Sequence, residues 1–283
     1  MSSFSVDWLR LREPVDRAAR DSTLLPQIAD CRQIVDLGAG TGANLRYLAP
    51  LIGGKQEWTL VEHDATLVNA IPECLREWTD SVVNVGDQLF IQSGTFNCRV
   101  RIEQLDLAIQ WKQLAIPVGA LVTASALLDL VSEHWLKQLV KRCAEASAPV
   151  WFALTYDGRM QCDPEEPEDE IVRDLFNEHQ RTDKGFGPAL GPSAAEMTKE
   201  LLAANGYQTS HTRSDWQLTT DMPDIQHELV RGWYDAVREC SQQKARELTG
   251  WFERRRAHIE AGVSTLIVGH TDIVASPTAI SSR

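Results

Sequence analysis

Ile34-Val35-Asp36-Leu37-Gly38-Ala39-Gly40-Thr41-Gly42 is the stretch that decides the fold. An apolar pair leads into an acid, and the acid into three glycines at alternate positions. The apolar part reads as the end of a buried strand, and the glycines as a tight turn that lets backbone approach a ligand. A helical pattern follows in Ala43-Asn44-Leu45-Arg46-Tyr47-Leu48. Strand, glycine turn and helix in that order open a nucleotide-type cofactor site.

Outward from this motif, strand and helix patterns alternate. Trp58–Glu62 reads as a second strand ending in an acid, about twenty residues past the glycines, a spacing that suits a carboxylate accepting ribose hydroxyls. A third runs through Arg101–Gln104 to Asp106-Leu107, and a fourth through Ala120–Thr123 to Ala124-Ser125. Val131–Ala144 is helical in spacing, and Val150–Thr155 reads as a fifth strand leading to Tyr156-Asp157-Gly158. Residues 205–218 hold a sixth strand and Gly262–Val274 a seventh. Such alternation predicts an α/β fold with a doubly wound, mostly parallel sheet and an antiparallel last strand. Ser81–Arg99 is irregular and allows a hairpin-like excursion.

Two cofactors compete for the turn. Gly38, Gly40 and Ala43 fit the dinucleotide fingerprint, which would make the chain a nicotinamide-dependent oxidoreductase. Against this, Asp36 would repel a pyrophosphate and attract a cationic sulfonium with its ammonium group. Gly42 also brings backbone close where a dinucleotide turn tolerates a side chain.

The acid-x-Gly-x-Gly-x-Gly order resembles the first motif of class I S-adenosylmethionine methyltransferases, over roughly residues 30–160. The resemblance implies S-adenosylmethionine as methyl donor and S-adenosylhomocysteine as product. It implies donor contacts from Asp36, Gly38, Ala39, Gly40, Gly42 and Asn44, from Glu62 on the ribose, and from His63 against the adenine. Asp106 and Leu107 would meet the adenine edge, and Ser125 would floor the pocket. His63 also reads as a solvent-facing loop residue, and Asp106 as a helix N-cap. Asp129 falls where many small-molecule members place a side chain facing substrate. A binding module that keeps the fold without catalysis is a further alternative.

Three segments outside the core are expected to build the substrate side. Residues 1–30 form an N-terminal helical cap of two short helices joined at Pro14. There Arg12, Arg17 or Arg20 could meet the donor's carboxylate, or Glu13 could pair with Arg17 on a solvated face. Residues 31–276 form the cofactor-binding domain, in which 157–193 is a substrate lid. The lid opens with the acidic, Pro-rich run Asp163–Glu170, read as a mobile, solvated loop, and carries His179, Asp183, Lys184 and Phe186. Residues 222–260 are an insert of one or two amphipathic helices with Trp233 and Trp251, either capping the site or packing on the sheet. Residues 277–283 are expected to be a flexible tail. Asp129, Tyr156 and His179, in that order, are the candidate general bases; Asp129, Tyr156, Lys184 and Phe186 are the candidate substrate contacts.

Composition narrows the partners. The chain has 283 residues, 43% hydrophobic and 24% charged, with net charge −12. Lys and Arg are outnumbered 28 to 40, which argues against a phosphate-backbone partner and for a small molecule. The dense basic run Arg254-Arg255-Arg256 has acidic neighbours. The six cysteines form no Cys-x-x-Cys pair, so no metal site is expected and free thiols are. No bilayer-spanning run or signal-peptide pattern is apparent, so a cytoplasmic, monomeric or homodimeric enzyme is expected.

Overall fold

In the computed structural model, which describes residues 4–79 and 81–278, the elements follow in chain order. Helix α1 (Val6–Ala19) leads to β1 (Gln33–Leu37), α2 (Ala43–Ile52), β2 (Gly54–Glu62) and α3 (Ala65–Trp78). A hairpin of β3 (Val82–Val85) and β4 (Gln88–Gln92) precedes β5 (Phe96–Gln104) and β6 (Leu121–Ser125). Then come α4 (Glu133–Glu145), β7 (Val150–Asp163), α5 (Asp169–Gln180), α6 (Ala194–Ala204), β8 (Tyr207–Arg213) and β9 (Trp216–Leu218). Helices α7 (Pro223–Cys240), α8 (Gln242–Glu247) and α9 (Thr249–Glu260) lead to β10 (Thr265–Pro277).

One sheet runs in the order β3-β4-β5-β2-β1-β6-β7-β10-β8, with β9 also paired to β10. The five strands from β5 to β7 are parallel, as expected of strands joined by helical crossovers. β10 is antiparallel to both β7 and β8. The central strands are buried on both faces, which is why Ile34–Leu37 and Leu121–Ala124 are nearly continuous apolar runs. One core lies under α1, α2 and α3 and holds Leu45, Leu48, Trp58, Leu60 and Trp151. The other lies under α4 and α6 and holds Val122, Leu136, Val140, Phe152 and Ile273.

Several expectations need correction. Among the described residues the sheet has ten strands, not seven. The stretch 81–99 pairs as a hairpin through Gly86, whose φ of +63° suits a two-residue turn. The sixth strand breaks at Ser214-Asp215 into β8 and β9. Pro14 does not separate two helices: α1 is continuous through it, fastened on both sides by contacts to β9, α3 and α7. Asp157–Asp163 are not loop but the outer half of β7, which pairs with β10 as far as Asp163↔Thr265. Pro277 belongs to β10, and Thr278 donates its N–H to the Gly206 carbonyl at 2.9 Å. The remainder of the expected tail, 279–283, lies outside the described residues.

The acidic run is anchored rather than free. Arg254 bonds Glu166 and Glu168, each at 2.6 Å, and His258 lies 2.8 Å from Glu166. The fully buried Arg255 pairs with Asp169 and donates to the Pro164 carbonyl at 2.6 Å. The basic run in α9 is thus the partner of this acidic one. The insert holds three helices, and it packs chiefly on α5 (α5 against α7, α7 against α9), above the outer half of β7 rather than flat on the sheet.

Candidate functional site

The glycine turn leaves β1 at the C-terminal edge of the parallel strands, where α/β sheets bind ligands. Gly38, Gly40 and Gly42 have φ of +64°, +56° and +83°, so each occupies backbone that side chains rarely adopt. A Cβ at Gly38 would meet Leu127 at 3.4 Å, and one at Gly40 would meet Leu9 of α1 at 3.1 Å. These two leucines form an apolar cover over the turn. Ala39 donates its N–H to the Val61 carbonyl at 3.0 Å, tying the turn to β2.

Beneath the turn lies a buried polar chain. Asn44, in the first turn of α2, donates to Asp36 Oδ1 at 2.7 Å and to Thr123 Oγ1 at 3.0 Å. It accepts from Arg20 Nη1 at 2.8 Å. The Arg20 guanidinium lies 3.9 Å over the Tyr47 ring. Asp36 Oδ2, Arg20 Nε and Arg20 Nη2 are buried without partners. Burial pushes the Asp36 carboxyl up to about 7, opposed by the Asn44 bond and the Arg20 charge. Arg20, Asn44, Tyr47 and Ser125 line one small cleft with Glu13 and Asp16. A larger cleft, about 200 Å³, lies between α1 and α3, but its charges are already paired, Arg10 with Glu77 and Arg46 with Glu13. The Arg46–Glu13 bond, with Arg46 also donating to the Thr41 carbonyl at 2.6 Å, clamps α1 to the turn. Glu13 therefore pairs with Arg46, not with Arg17.

Glu62 is more committed to the protein than the ribose reading implies. Its Oε1 accepts from the His63 and Asp64 N–H groups at 2.8 and 2.9 Å, and its Oε2 from the Gly40 N–H at 2.9 Å. A carboxylate has about four acceptor positions, so one on Oε2 remains for a hydroxyl. The His63 ring is half-exposed, with Nδ1 3.0 Å from Glu62. Asp106 closes a turn by accepting from the Ala108 N–H at 2.8 Å, which is a capping role without a following α-helix. Leu107 is buried, and its carbonyl accepts from Trp135 Nε1 at 2.7 Å. Ser125 stands half-buried at the tip of β6.

The substrate-side candidates divide. Asp129 is buried in a 3₁₀ turn after β6, its Oδ1 has no partner, and burial pushes its carboxyl up to about 6. Tyr156 is buried on β7 and donates its hydroxyl to Asn177 Oδ1 at 2.7 Å; burial raises its pKa. The turn that carries Asp129 packs against β7, which carries Tyr156. His179 instead joins α5 to α7 through Glu239 at 2.8 Å, with Lys184 Nζ 3.3 Å from its Nδ1. Asp183 is occupied by the Gly185 and Gly187 N–H groups. Phe186 packs edge-on to Trp135 at 5.3 Å, within the second core.

Sequence reading missed the far side of this site. His270 of β10 is buried opposite Tyr156, Trp216 lies 5.2 Å from it, and Arg12 lies 4.9 Å over the Trp216 ring, held by Asp16 at 2.9 Å. Only the strand periodicity around His270 could have placed it inward. Its neighbours come from segments more than 50 residues away in the chain.

No family model matches the chain, and no curated protein matches it. Solved structures align over 73% to 98% of its length. The cyclopropane synthase MmaA2 from Mycobacterium tuberculosis is 11% identical, covers 96% of this chain and 94% of its own, and has a TM-score of 0.49. The Haemonchus contortus phosphoethanolamine N-methyltransferase 2, complexed with phosphomonomethylethanolamine and S-adenosylhomocysteine, is 11% identical over 98% of this chain and 59% of its own (TM-score 0.44). The human N-acetylserotonin methyltransferase complexed with S-adenosylmethionine is 12% identical over 73% and 49% (TM-score 0.41). At such identities and scores the likeness carries no functional argument, which rests on the site itself.

Proposed function

We propose that the chain is an S-adenosylmethionine-dependent methyltransferase acting on a small-molecule acceptor. The observation that carries this reading is the Asp36–Asn44–Arg20 chain beneath three positive-φ glycines. It offers an unpartnered carboxyl oxygen and unpartnered guanidinium N–H groups on side chains joined through Asn44. That pair complements the ammonium and carboxylate of an amino-acid tail. A pyrophosphate would meet the Asp36 charge and gain nothing from it, which disfavours the nicotinamide reading.

When bound, S-adenosylmethionine supplies the methyl group, and transfer leaves S-adenosylhomocysteine. The chain's residues hold and orient. Gly38, Gly40 and Gly42 bring backbone close, Asp36 and Arg20 hold the tail, and the free position on Glu62 Oε2 takes a hydroxyl. His63, Asp106 and Leu107 flank the adenine end, and Ser125 floors the pocket. Leu9 and Leu127 exclude water above the turn. Alignment of acceptor and methyl carbon does most of the work. Asp129, whose carboxyl is ionised at neutral pH with a pKa of about 6, is the first candidate base for an acceptor that must lose a proton. Tyr156 follows, and Lys184 and Phe186 border the same side. A cytoplasmic monomer or homodimer completes the reading.

Calorimetric titration with S-adenosylhomocysteine, with NADH in parallel, tests it. Micromolar binding of the former alone is expected. Binding of NADH alone would make the chain an oxidoreductase, and binding of neither would return the glycine turn to a structural role. Cofactor binding with no methyl transfer to any acceptor would leave the binding-module reading.

A further inference from the structure

Beyond the last β6–β7 pair, Ser125↔Ala153, strands β7 and β10 run on together as a two-stranded arm. Tyr156 and His270 face each other where this arm begins, with ring centroids 6.2 Å apart. Trp216 of β9 continues the wall 5.2 Å from His270, and Phe176 of α5 meets Tyr156 edge-on at 5.6 Å. Helix α1 closes the near side, with the Arg12 guanidinium over the Trp216 ring. Four separate elements thus gather aromatic rings beside the turn that carries Asp129.

Two polar atoms among these rings are sealed from solvent and lack partners, Asp129 Oδ1 and His270 Nδ1. An unpartnered buried acceptor is costly, and natural structures keep few of them without a reason. Burial and the Arg12 charge push the His270 imidazole down to about 3, so it is neutral. The turn that carries Asp129 packs against β7, whose Tyr156 meets His270, and Arg12 lies over the Trp216 ring beside it. The rings and these two polar atoms therefore suit a ligand that is flat and rich in N–H or O–H donors.

We propose that the β7–β10 arm, β9, α1 and the Asp129 turn form the acceptor subsite, and that it takes an aromatic acceptor bearing hydroxyl or amine donors. This rests on the methyl-donor reading above. The rings of Tyr156, Trp216 and Phe176 hold the flat body, and Asp129 Oδ1 accepts from the group to be methylated. As that oxygen or nitrogen forms its bond to the methyl carbon, the carbon–sulfur bond breaks with its electron pair going to sulfur. The acceptor's proton passes to the Asp129 carboxylate. His270 accepts from or donates to a second polar group on the ring.

The test uses the full chain saturated with S-adenosylhomocysteine and four probes: catechol, 2-aminophenol, 1,2-dimethoxybenzene and benzoate. Catechol and 2-aminophenol are expected to bind about tenfold more tightly than the other two. Asp129→Asn and Trp216→Ala should each weaken catechol about tenfold while leaving S-adenosylhomocysteine affinity within about twofold. Equal binding of all four probes, or of none, would overturn the proposal, as would catechol affinity untouched by the isosteric Asp129→Asn, which keeps the test open if Trp216→Ala does not fold. Failure of S-adenosylhomocysteine itself to bind would instead remove the methyl-donor reading. Its binding without a donor preference removes only the subsite.

Discussion

The glycine turn and the β7–β10 arm flank the same edge of the sheet, yet they treat polar groups in opposite ways. At the turn, the Glu62 carboxylate accepts from three backbone N–H groups within the adjoining loops. At the arm, Asp129 Oδ1 and His270 Nδ1 are buried without a well-formed hydrogen bond, and only backbone groups of Asp129, Tyr156 and Val268 reach the two side chains. A satisfied network rigidifies a site and shapes it in advance. An unsatisfied one costs stability and is best explained by a ligand that completes it. The difference separates a cradle that is built by the fold alone from a wall that depends on what binds.

Removal of Glu62 is the strongest way to break this contrast. Glu62→Ala would orphan the N–H groups of Gly40, His63 and Asp64, each at about 1–3 kcal/mol before water relieves part of the loss. Urea unfolding should show a destabilisation of about 4 kcal/mol, with cofactor binding lost as a consequence. Weakened binding at unchanged stability would mean that Glu62 serves a ribose rather than the turn.

The arm predicts an acid limb. His270 has a folded pKa of about 3 against an ordinary 6.5, so between these values the unfolded chain takes up a proton that the native one refuses. Its contribution is present in full above pH 6.5 and is lost as pH falls toward 3. The groups acting on its ring are Arg12, Arg159, Asp215 and the Val268 carbonyl. Asp36 and Asp129, with carboxyls raised to about 7 and 6, act in the opposite sense and lose stability as pH rises from about 4. The native chain should therefore lose about 3 kcal/mol more than His270→Phe between pH 6.5 and 4, followed by chemical denaturation at each pH. Parallel curves for the two proteins would place a charged imidazole in the native arm.

A smaller effect sharpens the turn side. Gly40→Val forces a β-branched residue to φ near +56° and drives its Cβ to within 3.1 Å of Leu9. The strain is about 1–2 kcal/mol, and Leu9 must leave the turn. S-adenosylhomocysteine binding should fall by about tenfold to a hundredfold in calorimetry, with the fold retained. Unchanged binding would show that the ligand approaches elsewhere.

The same contrast explains what the sequence disclosed. Asp36, the three glycines, Asn44 and Glu62 lie within 27 residues of one another, and each obeys a local rule of strand, turn or helix start. Asp129 was legible from its place after the fourth parallel strand. His270, Trp216 and Arg12 were not, because each looks ordinary in its own element, and only the antiparallel return of β10 along β7 sets them around Tyr156. Asp163–Glu170 misled for a related reason. A charged, Pro-rich run usually stays in solvent, but its countercharges arrive from α9, about ninety residues on.

His179 tests the boundary between the two kinds of residue, because the helical pattern that offers it as a candidate is silent on what packs against it. Its Nδ1 lies near Lys184 Nζ, which can only donate, so Nδ1 accepts and Nε2 carries the proton given to Glu239. Both nitrogens are thereby engaged in joining α5 to α7, and neither lone pair is left for a substrate proton. Glu239 is largely exposed, so the bond is screened and weak. His179→Ala should cost under about 1 kcal/mol of stability in urea, and the pH dependence of methyl transfer should keep its shape. A profile that loses one limb in this variant would return His179 to the reaction and move the active region from the β7–β10 arm toward α5.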